Sequence, residues 1–285
     1  MATTMLNDII NPQVMGDMIE AKIPHLLKFT PFAKVDTSLV GVPGDTKTVP
    51  SWNFVGAAED VAEGAAITTK KLTASSAKFN VKKAMQSVGI TQESINSGLG
   101  DPVGAGENQL AKAIAVKLDA DVLAAALTAS LKYDGSASKI GYAGIVDAIG
   151  VLDEEENTDK VMFIAPAQVT TMRKDADFID KNKYGNDVMV TGEIGMVGNT
   201  RIVPSKQIVA ADGKYVCPII KLEPASAESE YAETELPAIT IFLKKDTQVD
   251  HEWFPKTQTH DITAAKYYGV ALTNAAKVVL ATFKA

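Results

Sequence analysis

The densest grouping of chemically capable side chains lies near the C-terminal end, where His251, Glu252, His260 and Asp261 place two imidazoles and two carboxylates within eleven residues. These are ligand types for a divalent transition metal, but the spacing builds no helical site. A metal-binding HExxH needs both imidazoles on one helix face, four residues apart, whereas Pro255 stands between these two. Only a folded turn could bring them together, and a metal-dependent enzyme using His251, Glu252 and His260 is the reading that such convergence would support. Gly192, Gly195 and Gly198 follow a GxxGxxG spacing that matches neither the dinucleotide fingerprint nor the P-loop, and they read as turn glycines ahead of a strand at Thr200. Cys217, the single cysteine, lies between Val216 and Pro218 in an apolar run and reads as a small core residue, not a nucleophile. With no GxSxG elbow either, the sequence gives no support to catalysis, and the expected catalytic, cofactor-binding and metal-site residues are none.

The composition agrees. The chain has 285 residues, 46% hydrophobic and 22% charged, enough for a buried core without metal or disulfide staples. One cysteine excludes a disulfide-framed secreted fold. The start, MATTMLNDIINPQ, has no basic and apolar leader, and no stretch approaches eighteen uninterrupted apolar residues, so neither a signal peptide nor a membrane span is readable. The net charge of -7 argues against dense phosphate contacts. The acidity is concentrated in two clusters, Asp153, Glu154, Glu155, Glu156 and Asp159, and then Glu223, Glu228, Glu230, Glu233 and Glu235. Neither has the alternating pattern of a calcium loop, and both read as solvated surface.

The elements that would carry these residues begin with an arm. Asn11 and Pro12 mark a helix start, and Met15, Met18, Ile19 and Ile23 recur at three-and-four spacing until Pro24. So short a helix must dock its apolar face on its own core or on another subunit. Turn residues Gly41, Pro43, Gly44 and Asp45 precede a strand over 46–55, a small-residue stretch over 57–69, and an alternating return over 70–88. That is a long β-hairpin with too little apolar content to stand alone. After a Gly-rich connection, residues 107–127 read as the longest helix, with Leu110, Ile114, Leu118 and Val122 on one row; at about 1.5 Å per residue it spans roughly 30 Å. A helix over 144–152, a buried strand over 161–165, a helical 168–174, and strands over 200–203, 214–220, 239–244, 267–273 and 278–283 complete an α+β chain without regular βαβ alternation or internal repeats.

An arm, a long hairpin, a spine helix and an α+β remainder with no site together resemble the major capsid protein of tailed bacteriophages, the HK97-like capsid fold. More narrowly, the chain is similar to the N4-related phage coat protein family. INPQVMGDMIEAKI, FTPFAKVDTSLVGVPGDTKTVPSWNF, AEDVAEGAAI with its return KLTASSAKFNVKKAMQSVGITQES, ENQLAKAIAVKLDADVL and GEIGMVGNTRIVPS carry the resemblance. It implies an N-terminal arm over 1–36, an extended E-loop hairpin over 37–89, a peripheral domain with the long spine helix over 90–140 and 238–285, and an axial domain over 141–237. It also implies a structural, non-enzymatic subunit that self-assembles through pentamers and hexamers into an icosahedral head around a double-stranded DNA genome. Arm and hairpin would lie on neighbouring copies, making Met15, Met18, Ile19, Glu59, Asp60, Glu63, Lys70 and Lys71 the inter-subunit contact candidates. The expected partners are the chain itself, a separate scaffolding protein (no long prosegment precedes the arm), a portal and non-specifically contacted DNA, with no membrane and no cofactors. The expected location is the virion, assembled in the host bacterial cytoplasm. The same fold builds encapsulin nanocompartments, which is the alternative.

Overall fold

The computed structural model describes residues 27–52, 58, 60–61, 67–71, 74–97, 102–154, 158–174, 196–222 and 236–285. In chain order the strands are β1 (Lys34–Asp36), β2 (Thr46–Trp52), β3 (Ala74–Asn80), β4 (Lys82–Thr91), β5 (Leu131–Gly135), β6 (Lys160–Ile164), β7 (Met196–Val197), β8 (Thr200–Pro204), β9 (Lys214–Lys221), β10 (Ile239–Phe254), β11 (Thr259–Leu272) and β12 (Val278–Lys284). The α-helices are α1 (Gln92–Ser97), α2 (Pro102–Ala126), α3 (Tyr142–Gly150) and α4 (Pro166–Met172). No helix among the described residues is long and apolar enough to cross a membrane.

Two compact units form. The first draws on the described parts of Met1–Thr46, Asn80–Ala125 and Ile239–Ala271. Its four-stranded sheet runs β1-β10-β11-β4, with β1 parallel to β10 and β4 antiparallel to β11 over ten residue pairs, from Thr91 opposite Thr259 to Lys82 opposite Tyr268. The α2 helix covers one face. Leu110, Ile114, Leu118 and Val122 are all buried, so the row read from four-residue spacing is the row that packs. Leu110 and Ile114 meet Ile90, Val249, Ile262 and Ala264 of the strands, with Val88 and Ile95 at the edge of the cluster.

The second unit draws on the described parts of Lys47–Phe79, Ala126–Ala238 and Leu272–Ala285. Its six-stranded mixed sheet runs β5-β12-β9-β6-β8-β7. Every residue of β6 is buried, and an apolar run of this kind is what a strand covered on both faces requires. Met162 and Ile164 pack with Ile145 and Ala148 of α3, Met172 of α4, and Cys217, Ile219, Val279 and Phe283 of the neighbouring strands. β2 and β3 pair as a two-stranded sheet of their own.

Three boundaries differ from the sequence reading. The hairpin's returning limb ends at Asn80, because β4 pairs with β11 through residues that the sequence assigns to the hairpin. Residues 126–140 and 272–285, read as peripheral, supply β5 and β12, and β12 sits between β5 and β9 in the second sheet. The strands read over 239–244 and 267–273 are the ends of two much longer ones, whose exposed polar positions conceal a period of two.

Candidate assembly surfaces and their anchors

The chain leaves the arm through a fixed point. One carboxylate of the spine helix, Asp119, accepts from the backbone amides of Lys28, Phe29 and Thr30 at 3.1, 2.8 and 3.1 Å, and from the Thr30 hydroxyl at 3.1 Å. Asp119 is buried, 2% exposed. A buried carboxylate needs converging donors, and the amides leading into the short 3-10 helix at Thr30–Phe32 supply them. Met15, Met18 and Ile19 lie outside the described residues.

At the hairpin root, the Val81 amide donates to the Asp45 carbonyl at 2.8 Å, and the Thr46 hydroxyl meets the Asn80 side-chain oxygen at 3.2 Å. Gly269 of β11 passes under this root, where a Cβ would come within 2.9 Å of the Asn80 carbonyl oxygen, so only glycine allows the approach. Lys244 donates to the Val42 and Gly44 carbonyls and fastens the preceding turn. Of the hairpin contact candidates, Asp60, Lys70 and Lys71 are exposed, while Glu59 and Glu63 lie outside the described residues.

Two lysines on β4 are engaged within the chain. Lys82 reaches Asp121 at 2.7 Å, beside Lys117 at 3.0 Å and the Tyr268 hydroxyl, which donates at 2.7 Å. Burial alone would raise the Asp121 carboxyl, but these hydrogen bonds hold it below the ordinary carboxylate value. Burial and the same carboxylate push the Tyr268 phenol up. Lys83 stands over the Tyr267 ring, 5.8 Å from its centroid. Between β4 and α2 lies an open groove of about 300 Å³ lined by Lys83, Ala84, Met85, Gln86, Ala113, Ile114 and Lys117. Met85 is 55% exposed there.

Folding also tests the chemically suggestive residues. The turn between β10 and β11 does bring His251 to His260, with Nε2 of the first 2.7 Å from Nδ1 of the second. Strand alternation sends Glu252 to the opposite face, and no three metal-ligating side chains converge among the described residues. Of His251, Glu252 and His260, the fold brings together only the two imidazoles, which bond to each other. Cys217 is fully buried and donates to the Gln168 side-chain oxygen at 3.2 Å, and burial pushes its thiol up to about 12, the state of an inert core residue. Gly198 and Asn199, both at positive φ, form the turn between β7 and β8; Gly192 and Gly195 lie outside the described residues. The first acidic cluster is only partly solvated surface. Glu154 is largely covered and binds Lys160 at 2.5 Å, Lys221 at 2.9 Å and the Thr158 hydroxyl. The second cluster, from Glu223 to Glu235, lies outside the described residues.

A mixed-sheet unit, a unit built on a spine helix, a separate β-ribbon and an anchored arm root make up the HK97-like fold of phage capsid subunits. The structure overlays the capsid of cyanophage Pam1 with a TM-score of 0.70 at 13% identity, covering 90% of this chain and 92% of that one. It overlays the capsid of Helicobacter pylori bacteriophage KHP30 with a TM-score of 0.71 at 12% identity, covering 91% and 92%. The family model described as phage capsid protein matches residues 74–281, and the major capsid protein of Staphylococcus phage phiMR11 is 31% identical over 282 residues, 98% of this chain and 95% of that protein. The chain belongs to the phage capsid protein family. It is a major capsid protein, a structural, self-associating shell subunit and a component of the virion, and the relatives give no support to the encapsulin alternative.

Proposed function

We propose that this subunit builds an icosahedral, tailed-phage head around double-stranded DNA by laying its β2–β3 hairpin and N-terminal arm on neighbouring copies within pentamers and hexamers. The unit containing the spine helix is the peripheral domain, and the six-stranded sheet is the axial domain. The observation that carries this reading is the β2–β3 ribbon, a two-stranded sheet of its own on a firmly hydrogen-bonded root. Two strands are marginal in water, so such a ribbon gains its burial from another surface. The groove between β4 and α2 is a fitting receptor: Lys83 and Lys117 flank exposed apolar surface, and the hairpin carries Glu59, Asp60 and Glu63 with Lys70 and Lys71 on its return. On the arm, Met15, Met18 and Ile19 supply the apolar face. Assembly takes place in the host cytoplasm with a scaffolding protein and a portal, and the DNA is contacted non-specifically. Such work needs surface complementarity and neither catalysis nor a cofactor.

Replacing residues 56–71 by a two-residue turn tests the hairpin's role. Circular dichroism should match the unaltered subunit, while electron microscopy and ultracentrifugation should find capsomers and shells abolished. Normal shells from the shortened chain would overturn the proposal.

A further inference from the structure

The histidine pair has no part in the proposed contacts, yet its geometry is specific. His260 is 1% exposed. Its Nε2 lies 3.1 Å from the side-chain oxygen of Gln92, the first residue of α1, and its Nδ1 lies 2.7 Å from Nε2 of His251. The two ring planes are 18° apart and their centroids 5.0 Å apart. That separation is the N···N distance plus roughly a ring radius at each end, so the rings lie nearly in one plane and meet edge to edge. Proton positions follow. Gln92 offers an acceptor, so His260 carries its proton on Nε2; its Nδ1 is then an acceptor, and His251 must donate from Nε2. A backbone bond from the Gln92 amide to the Gln258 carbonyl, 2.8 Å, joins α1 to the same turn.

We propose that the His251–His260 pair is an acid-sensitive latch that fastens the tip of the β10–β11 hairpin to α1 when neutral and releases it when both rings are protonated. The first proton is harmless, since it can enter at Nδ1 of His251 and leave the donated bond charge-assisted. The second must enter at Nδ1 of His260, the acceptor of that bond. Two N–H groups then face each other between two cations in a buried place, and the contact opens.

Few neighbouring charges can offset this. The rings face uncharged partners: Gln92 on α1, Trp253 on β10, whose ring centroid is 4.3 Å from that of His260, and Ile90, opposite His260 on β4. The charged residues on the surrounding elements are Glu93 on α1, the buried Glu107 on α2, Asp250 and Glu252 on β10, Lys256 in the turn and Asp261 on β11, and neither Glu93 nor Glu107 is among the influences that act on His260. Strand alternation turns Asp250, Glu252 and Asp261 to the opposite face, and Asp261 lies against Gly89 there. Burial and then the His251 charge hold the His260 imidazole below its ordinary value. A folded-state value below the unfolded one means that the unfolded chain binds more protons, so stability falls as pH drops from the ordinary histidine value through the depressed one. Opening frees a tip on which Trp253 and Phe254 are already 38% exposed. The consequence is a hairpin that loosens in acid while the rest of the subunit holds.

The test is amide exchange of the full-length subunit between about pH 7.5 and about pH 4.5, corrected for intrinsic rates, with Trp253 fluorescence followed in a Trp52→Phe background. Protection over 250–261 and α1 should fall on the order of tenfold through a transition below the ordinary histidine value, with Trp253 reporting the same midpoint. His251→Gln separates the latch from general acid weakening, because its amide can donate to His260 when neutral and rotate to accept from it when charged. That variant should keep the hairpin protected in acid. Equal loss in the variant and the unaltered protein, no loss in either, or unfolding of the whole subunit at the same pH in both would each overturn the latch.

Discussion

The two sheets of this subunit are held by different forces. In the six-stranded sheet, β6 is buried throughout and its neighbours contribute Cys217, Ile219, Val279, Ala281 and Phe283, so apolar packing makes the centre. The four-stranded sheet has one apolar face under α2, but its periphery is fastened by polar groups: Asp119 at the arm root, Asp121 between Lys82 and Tyr268, Lys244 under the turn, and the histidine pair at the far hairpin. Apolar packing tolerates small rotations; a carboxylate bound by three successive amides does not. The first sheet thus holds the segments at its edges, the stretch at Lys28–Thr30 and the root at Thr46 and Asn80, through specific polar bonds, while the second is held by its packed centre.

The largest effect should come from the apolar side of this contrast. Phe163 on β6 is fully buried. Phe163→Ala removes a ring from a strand covered on both faces and should destabilise the subunit by about 3 to 5 kcal/mol, a large share of a typical domain's stability. Urea unfolding should show the loss across the second unit. A change below about 1 kcal/mol would mean that the sheet centre relaxes around the gap and that packing is not what holds it.

Asp119→Ala breaks the polar side, and should cost somewhat less, about 2 to 4 kcal/mol, because the amides it frees belong to a segment that can move out to water. Its signature is local. Limited proteolysis should begin at Lys28, while the unfolding midpoint of the second sheet stays close to that of the unaltered chain. Cleavage at Lys28 no faster than in the unaltered subunit would show that the apolar anchor Phe29, itself fully buried, holds the root without the carboxylate.

What could be read from the sequence follows the same division. The spine row and the β6 run were legible because apolar burial writes a period of four or an unbroken stretch directly into the residues. Most of β10 and the first half of β11 were not, because Lys245, Asp246, Asp250 and Glu252 occupy exposed strand positions and read as loop. The short β5 ends in Asp134 and Gly135, which look like a turn until Gly135 is seen paired with Phe283. Asp119 is a single charge in a helix that the sequence marks by its apolar row, and nothing local reveals that amides ninety residues earlier converge on it. The histidines were visible as residue types, but their meeting depends on a turn between long strands, and Glu252 could be excluded only once strand parity was known. The resemblance to phage capsid proteins found the fold where these local patterns were incomplete.

The smallest effect compares the two units through their ion clusters, Asp121 in the first and Glu154 in the second. Both carboxyls would be raised by burial alone, and both are held below the ordinary carboxylate value by hydrogen bonds from two lysines and a hydroxyl. Each therefore contributes stability that is present above the unfolded carboxylate value and lost as pH falls through the lower, folded one. The surroundings differ: Lys82 and Lys117 are about half exposed, at 47% and 57% of their side chains, whereas Lys160 is 1% exposed. Solvent screens the first cluster, so Asp121→Asn should flatten the acid limb of the unfolding curve below about pH 4 by less than about 1 kcal/mol and respond to added salt. Glu154→Gln should cost more at neutral pH, because it leaves the buried Lys160 ammonium without its carboxylate, and salt should change that little. This carboxylate window lies below the histidine range, so Asp121→Asn should leave the exchange transition of the β10–β11 hairpin in place. An acid limb unchanged in Asp121→Asn, or equal salt sensitivity in the two variants, would remove the electrostatic half of the contrast between the units.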